Sequence, residues 1–133
     1  MTGDVALLLA DKSALTRGIE QVAEQGELCV CAITRLEMLH STRNAREYAQ
    51  LEEELDSFRQ LRMNAETFDV AAVAHRELAE HSQHRVPIPD LLIGACAQQH
   101  SAGVLHVDRH YDTLASVLTF DSVRLPDASG EDG

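Results

Sequence analysis

Two runs in this chain are unbroken by any polar residue, Val5–Ala10 and Leu28–Ile33, and a third, Val104–Val107, is interrupted only by His106. A strand with one wet face alternates polar and apolar residues. A strand buried on both faces does not, and this is the mark of a parallel sheet covered by helices on both sides. Parallel strands cannot be joined by a tight turn and need a crossover, usually a helix. The intervening segments supply such helices. Ser13 to about Gln25 carries Leu15, Ile19 and Val22 at helical spacing, with Gly26 as a stop signal. Thr34–His40 reads as a short helix. Asn44–Leu61 reads as a long one, with Leu51, Leu55, Phe58 and Leu61 inward and Glu52, Glu53 and Glu54 outward. Thr67–His81 is a further helix, and the two suggest a helical hairpin beside the sheet. Pro87 and Pro89 precede a helix over Leu91–His100, with Asp90 at its opening. Arg109–Val117 reads as a short helix and Ser122–Leu125 as a last strand. The expected order is β-α-β-α-α-α-α-β-α-β, an α/β sandwich around a mainly parallel sheet.

The 133 residues suffice for one domain, expected over residues 1–126, with a Gly/Ser/Asp-rich tail at 127–133 expected to be disordered. There is no Trp, and the only other aromatics are three Phe and two Tyr, so the core is aliphatic and an aromatic stacking platform for nucleic acid is not expected. The net charge of −11 argues against a general electrostatic grip on nucleic acid. Lys12, Arg17, Arg35, Arg43 and Arg46 nevertheless lie in the first half, some of them beside acids, and bound cations would cancel charge locally. The first apolar run is too short for a membrane span or a signal core. An odd set of three cysteines, Cys29, Cys31 and Cys96, fits reduced thiols in a cytoplasmic protein. Cys29 and Cys31 share one face of a strand and read as small core residues.

The apolar segments are punctuated by isolated carboxylates. Asp11 directly follows the first strand and Asp108 the third. Asp90 opens a helix, and Glu37 lies inside the short helix after the second strand. Any one of the aspartates could simply cap a helix, and a surface-facing Glu37 is the ordinary outcome for such a residue. Taken together they point elsewhere. The carboxyl ends of parallel strands line the crevice where ligands bind. Acids gathered there repel one another unless a hard cation neutralises them, and Mg²⁺ or Mn²⁺ is the usual one.

Other chemistries lack their residues. There is no GxGxxG after the first strand, no GxxxxGK[ST], no GxSxG and no HExxH. No second cysteine pair completes a zinc set. The seven histidines include His81 and His84 three apart beside a loop, read as surface residues, and His106 within a strand, read as core or surface. Asp11-Lys12-Ser13 lacks the second Asp expected of an aspartyl-phosphate hydrolase.

The segments LLLADKSAL, ITRLEMLHS, IPDLLIGACA and VLHVDRHYDTLA, in this order and spacing from Leu7 to about Leu125, resemble a PIN domain, and within that group the VapC toxins of bacterial toxin–antitoxin pairs. The resemblance implies a PIN-like α/β/α sandwich. It implies that Asp11, Glu37, Asp90 and Asp108 form the catalytic acidic quartet, with Asp11 and Asp90 as main metal ligands and Asp108 and Glu37 ligating directly or through water. Ser13 matches the hydroxyl residue that helps hold the first acid, and Asp112 a further acid of some members. Lys12 departs from an uncharged position. The implied activity is Mg²⁺-dependent endoribonuclease action, with Mn²⁺ as the alternative ion, on tRNA or rRNA. The implied partners are a cognate VapB-like antitoxin, to whose basic segment the −11 charge is suited, and a second copy of the chain in a homodimer. Two rival readings are a catalytically silent PIN-fold module that sequesters an antitoxin, and a metal hydrolase acting on DNA or a phosphomonoester.

Overall fold

A computed structural model describes residues 5–22 and 26–125. Five strands, β1 (Val5–Leu9), β2 (Gly26–Cys31), β3 (Arg59–Leu61), β4 (Gly103–His106) and β5 (Ser122–Arg124), form one sheet in the order β3-β2-β1-β4-β5, and every pairing is parallel. Six helices, α1 (Lys12–Val22), α2 (Ala32–His40), α3 (Ala45–Asp56), α4 (Ala65–Glu80), α5 (Ile88–Gln99) and α6 (His110–Leu114), make the crossovers. No helix among the described residues is long and apolar enough to cross a membrane. The tail expected to be disordered, 127–133, lies outside the described residues, as does the expected end of the first helix beyond Val22.

The unbroken apolar runs have the origin expected of them. Along β1, Leu8 packs into one core and Leu7 and Leu9 into another. The same alternation puts Cys29 and Cys31 on one side of β2 and Val30 on the other, and Val104 and Leu105 on opposite sides of β4. One core is covered by α4, α5 and α6, and the second by α1, α2 and α3. All three cysteines are buried free thiols in the first core.

One segment departs from the sequence reading. The helical pattern runs on to Leu61, but α3 ends at Asp56 and β3 follows. Only one of its three residues, Leu61, is buried, so strand alternation has no room to show. The pairings Cys29↔Arg59, Val30↔Gln60 and Cys31↔Leu61 give β2 its outer partner. The Gln60 side-chain amide donates to the carbonyls of Leu55 and Phe58, closing the end of α3. The helical hairpin expected over this stretch is therefore interrupted by a strand. Helix α4 packs instead on α5, which also meets α6 and α2, and α3 packs on α2.

The strand order sets where a site belongs. From β1 the chain moves outward through β2 to β3, then returns to the other flank of β1 for β4 and β5. The direction of winding reverses between β1 and β4. In an open α/β sheet the crevice at the carboxyl ends of those two strands is the favoured ligand site.

Candidate metal centre and active site

Asp11 and Asp108 occupy matching places at that reversal point, each two residues beyond the end of its strand: Leu9 for β1 and His106 for β4. The sheet bonding continues past β1, with the Ala10 N–H donating to the Leu105 carbonyl at 3.0 Å. Asp11 does cap α1, its Oδ1 accepting the Ala14 N–H at 2.9 Å. Ser13, expected to help hold it, is exposed, and among the described residues it makes no hydrogen bond to Asp11.

Asp90 reaches the same crevice from α5. Pro87 is the N-cap and Pro89 stands in the first turn, so the helix starts where the prolines predict and Asp90 falls in its third position. From Leu91 to Ala97 this helix is buried at every residue except Leu92, which locks its N-terminus against the sheet. The Tyr111 hydroxyl, on α6 and buried, donates to Asp90 Oδ1 at 3.1 Å. That leaves Oδ2 facing His110, whose Nδ1 is 3.3 Å away. Burial raises the Asp90 carboxyl above its ordinary range, and the charge of nearby Asp108 pushes the same way, against the Tyr111 hydrogen bond and His110. Burial also raises Tyr111, reinforced by Asp90, Asp11 and Asp108, so the phenol stays neutral and remains a donor. Of the four expected acids, Asp90 bonds this tyrosine directly, and Asp11 and Asp108 lie close enough for their charge to act on it.

Asp108 is oriented from both sides. Its N–H donates to His106 Nδ1 at 3.1 Å, and its Oδ1 accepts the His110 N–H at 2.9 Å. A nitrogen that accepts a backbone N–H carries no proton, so Nε2–H of His106 is the donor to Ser122 Oγ at 2.7 Å. Ser122 in turn donates to Asp112 Oδ1 at 2.8 Å. Burial lowers the His106 pKa and keeps the ring neutral. Asp112 stands outside the crevice proper and braces it, tying α6 to β5 through Ser122 and through Arg124 at 3.7 Å.

The tightest grouping contains a residue the sequence reading did not select. Ligand atoms of Asp90, Asp108 and His110 all lie within 4.8 Å of one another. His110 Nδ1 is 3.1 Å from Asp108 Oδ1 and 3.3 Å from Asp90 Oδ2, yet it is buried and hydrogen-bonded to neither. An orphaned nitrogen between two carboxylates is the donor set of a cation site, and these residues fit a divalent ion. The signal in the sequence was Asp108-Arg109-His110, a second donor two residues beyond a strand-end acid. Tyr111 was also readable, since a buried phenol needs a polar partner.

Glu37 does not join this grouping. It is exposed on α2, one turn beyond Thr34, whose hydroxyl accepts the Cys31 N–H at 2.9 Å and fixes α2 to the end of β2. It therefore stands at the carboxyl edge of the sheet, next to the strand that carries Asp11. Of the cations considered for a positive rim, Arg35 is engaged with Asp56 at 2.7 Å and Glu52 at 3.6 Å, and Arg43 with Glu47 at 3.0 Å. Lys12 and Arg46 are exposed, and neither has an ion pair among the described residues. His81 is exposed, and His84 offers only its carbonyl, to His75 Nε2 at 3.0 Å.

Known proteins resemble the chain in both sequence and fold. It is 41% identical over 93 residues to ribonuclease VapC17 of Mycobacterium tuberculosis, covering 68% of this chain and 70% of that one. It is 37% identical over 106 residues to ribonuclease VapC51 of the same organism, covering 80% and 77%. In fold it is similar to the VapBC-5 toxin–antitoxin structure of M. tuberculosis, with a TM-score of 0.70 over 91% of this chain and 99% of that one at 22% identity. The family model for the PIN domain matches residues 5–117, and the chain belongs to that family.

Proposed function

We propose that this protein is a metal-dependent endoribonuclease and the toxin of a type II toxin–antitoxin pair, held in check by a VapB-like antitoxin. The observation that carries the reading is the set of acids converging on the carboxyl edge between β1 and β4, in a chain 41% identical to a VapC ribonuclease. Asp90 and Asp108 hold the ion, Mg²⁺ or Mn²⁺, with Asp11 beside them and Glu37 acting from α2 directly or through water. When bound, such an ion supplies a water acidic enough to attack at neutral pH and a positive charge opposite the phosphodiester.

The chain's own residues supply position. Tyr111 keeps Asp90 Oδ1 occupied and so turns Oδ2 toward the crevice. The His106–Ser122–Asp112 chain fixes the backbone from which Asp108 projects. Lys12 and Arg109 are exposed, and each is adjacent in sequence to a strand-end acid, which suits them to the phosphates flanking the scissile bond. Hydrolysis of this type leaves 5′-phosphate and 3′-hydroxyl ends on a tRNA or rRNA. The −11 charge suits a basic antitoxin segment, and three free thiols suit a reducing cytoplasm. Assembly as a homodimer belongs to the same reading.

The test is brief induction in cells with mapping of new RNA ends, for the wild type and for Asp11→Asn and Asp90→Asn. Growth arrest with discrete 5′-phosphate cleavage sites is expected from the wild type alone. Arrest that persists unchanged in both variants contradicts the proposal.

A further inference from the structure

The acids account for a site that would suit Mg²⁺, but His110 does not belong to that chemistry. Mg²⁺ is bound almost wholly through oxygen, with carboxylates, phosphates and retained waters. An imidazole nitrogen favours first-row transition ions instead, and the preference rises from Mn²⁺ toward Cu²⁺. Resting on the metal-site reading above, we infer that His110 is a nitrogen ligand, and that the centre is a mixed nitrogen–oxygen site selective for a first-row transition ion over Mg²⁺.

Three observations converge on this role. First, the ring is anchored where a ligand is needed: His110 opens α6, and its backbone N–H is already bonded to Asp108 Oδ1 at 2.9 Å. Second, the side chain is 43% exposed while the Nδ1 atom itself is buried. The exposed part of the ring is therefore the part away from Nδ1, and Nδ1 itself faces inward between the carboxylates. Third, Nδ1 lies within 3.3 Å of two carboxylate oxygens and satisfies hydrogen-bond geometry with neither. A histidine serving as a plain counter-ion would aim its N–H at one of them. A nitrogen pointing between them aims at the place a shared cation takes.

The experiment is Mn²⁺ and Mg²⁺ titration calorimetry on the full chain, paired with pulsed electron paramagnetic resonance of the Mn²⁺-loaded protein. Wild type, His110→Ala, His110→Asp and Asp90→Asn are compared. The wild type is expected to bind Mn²⁺ at least about tenfold more tightly than Mg²⁺ and to show nitrogen-14 modulation from a directly bound imidazole. His110→Ala is expected to lose the modulation and about tenfold in Mn²⁺ affinity, with Mg²⁺ changed by less than about twofold. His110→Asp is expected to narrow the Mn²⁺ preference by restoring an oxygen donor. Wild-type protein that binds Mn²⁺ without nitrogen modulation overturns the inference, whatever the variants do. So does an increase in affinity for both ions in His110→Ala, which marks the histidine as a counter-ion that a metal displaces. The underlying site reading fails separately, if Asp90→Asn leaves the binding of both ions unchanged.

Discussion

The two ends of the sheet differ in a way that cavity size alone conceals. The larger cleft, about 630 Å³, lies at the amino end, where Gly103 begins β4 and Asp121 precedes β5. Two of its polar groups are spent on structure. The Asp121 carbonyl accepts the Val104 N–H at 2.9 Å, and the Gln98 side chain accepts the Thr119 N–H at 2.8 Å. A side chain at Gly103 would meet the Asp121 carbonyl and Leu7 at 3.1 Å, so the floor of this cleft is tightly packed. At the carboxyl end there is instead an Asp90 carboxyl raised by burial and by the charge of Asp108, and a buried nitrogen with no hydrogen-bond partner among the described residues. Unsatisfied charge, rather than volume, marks the reactive end.

The sharpest contrast to test is between Asp108 and Asp121, one acid at each end. Asp108→Asn is expected to reduce RNA cleavage by at least about 100-fold, since it removes a ligand whose role is electrostatic. Asp121→Asn is expected to leave cleavage within about twofold, as a surface change away from the site. Single-turnover assays on a cleaved RNA check both, and equal losses would erase the distinction between the ends.

A smaller effect probes how the carboxyl end is held. Tyr111→Phe keeps the packed ring and removes the hydroxyl that occupies Asp90 Oδ1. Outer partners of metal ligands are worth about 10- to 100-fold in affinity. A loss near the lower figure is expected by calorimetry, with the fold preserved by circular dichroism.

The smallest effect is on stability and runs opposite to activity. The Asp90 carboxyl is raised in the fold, so its ionised form is disfavoured there relative to the unfolded chain. Stability from this group is therefore lost as pH rises through the folded value, and the penalty is fully present at neutral pH. Metal-free Asp90→Asn should melt above the wild type at neutral pH. The gap should close as pH falls below the ordinary Asp value of about 3.9, where the carboxyl is protonated in the folded and unfolded chain alike. Thermal melts in a chelator measure this. A variant less stable at neutral pH would mean that the site is not under electrostatic strain.

Much of this was legible in the chain because the relevant signals are local. An unbroken apolar run followed by Asp marks a doubly covered strand and the edge where it ends, as Leu9–Asp11 and the β4–Asp108 junction bear out. Prolines fix the start of α5 and with it the place of Asp90. What escaped reading depends on tertiary context. β3 exists because β2 needs an outer partner, and three residues carry too little pattern to say so. His110 carries no such local signal, because it forms no HExxH or other helical pair and meets a second carboxylate only through Asp90, which arrives from α5, twenty residues earlier in the chain. Asp11 showed that the two readings of a strand-end acid need not compete. It caps α1 and also lies close enough for its charge to act on Tyr111.

The central claim is that Asp90, Asp108 and His110 together hold a cation at the carboxyl end of β1 and β4. Anomalous diffraction from crystals grown with Mn²⁺ tests it most directly. The account predicts an anomalous peak bounded by those three side chains, absent in Asp90→Asn crystals. A bound Mn²⁺ found elsewhere, with these three side chains free of metal, would contradict it.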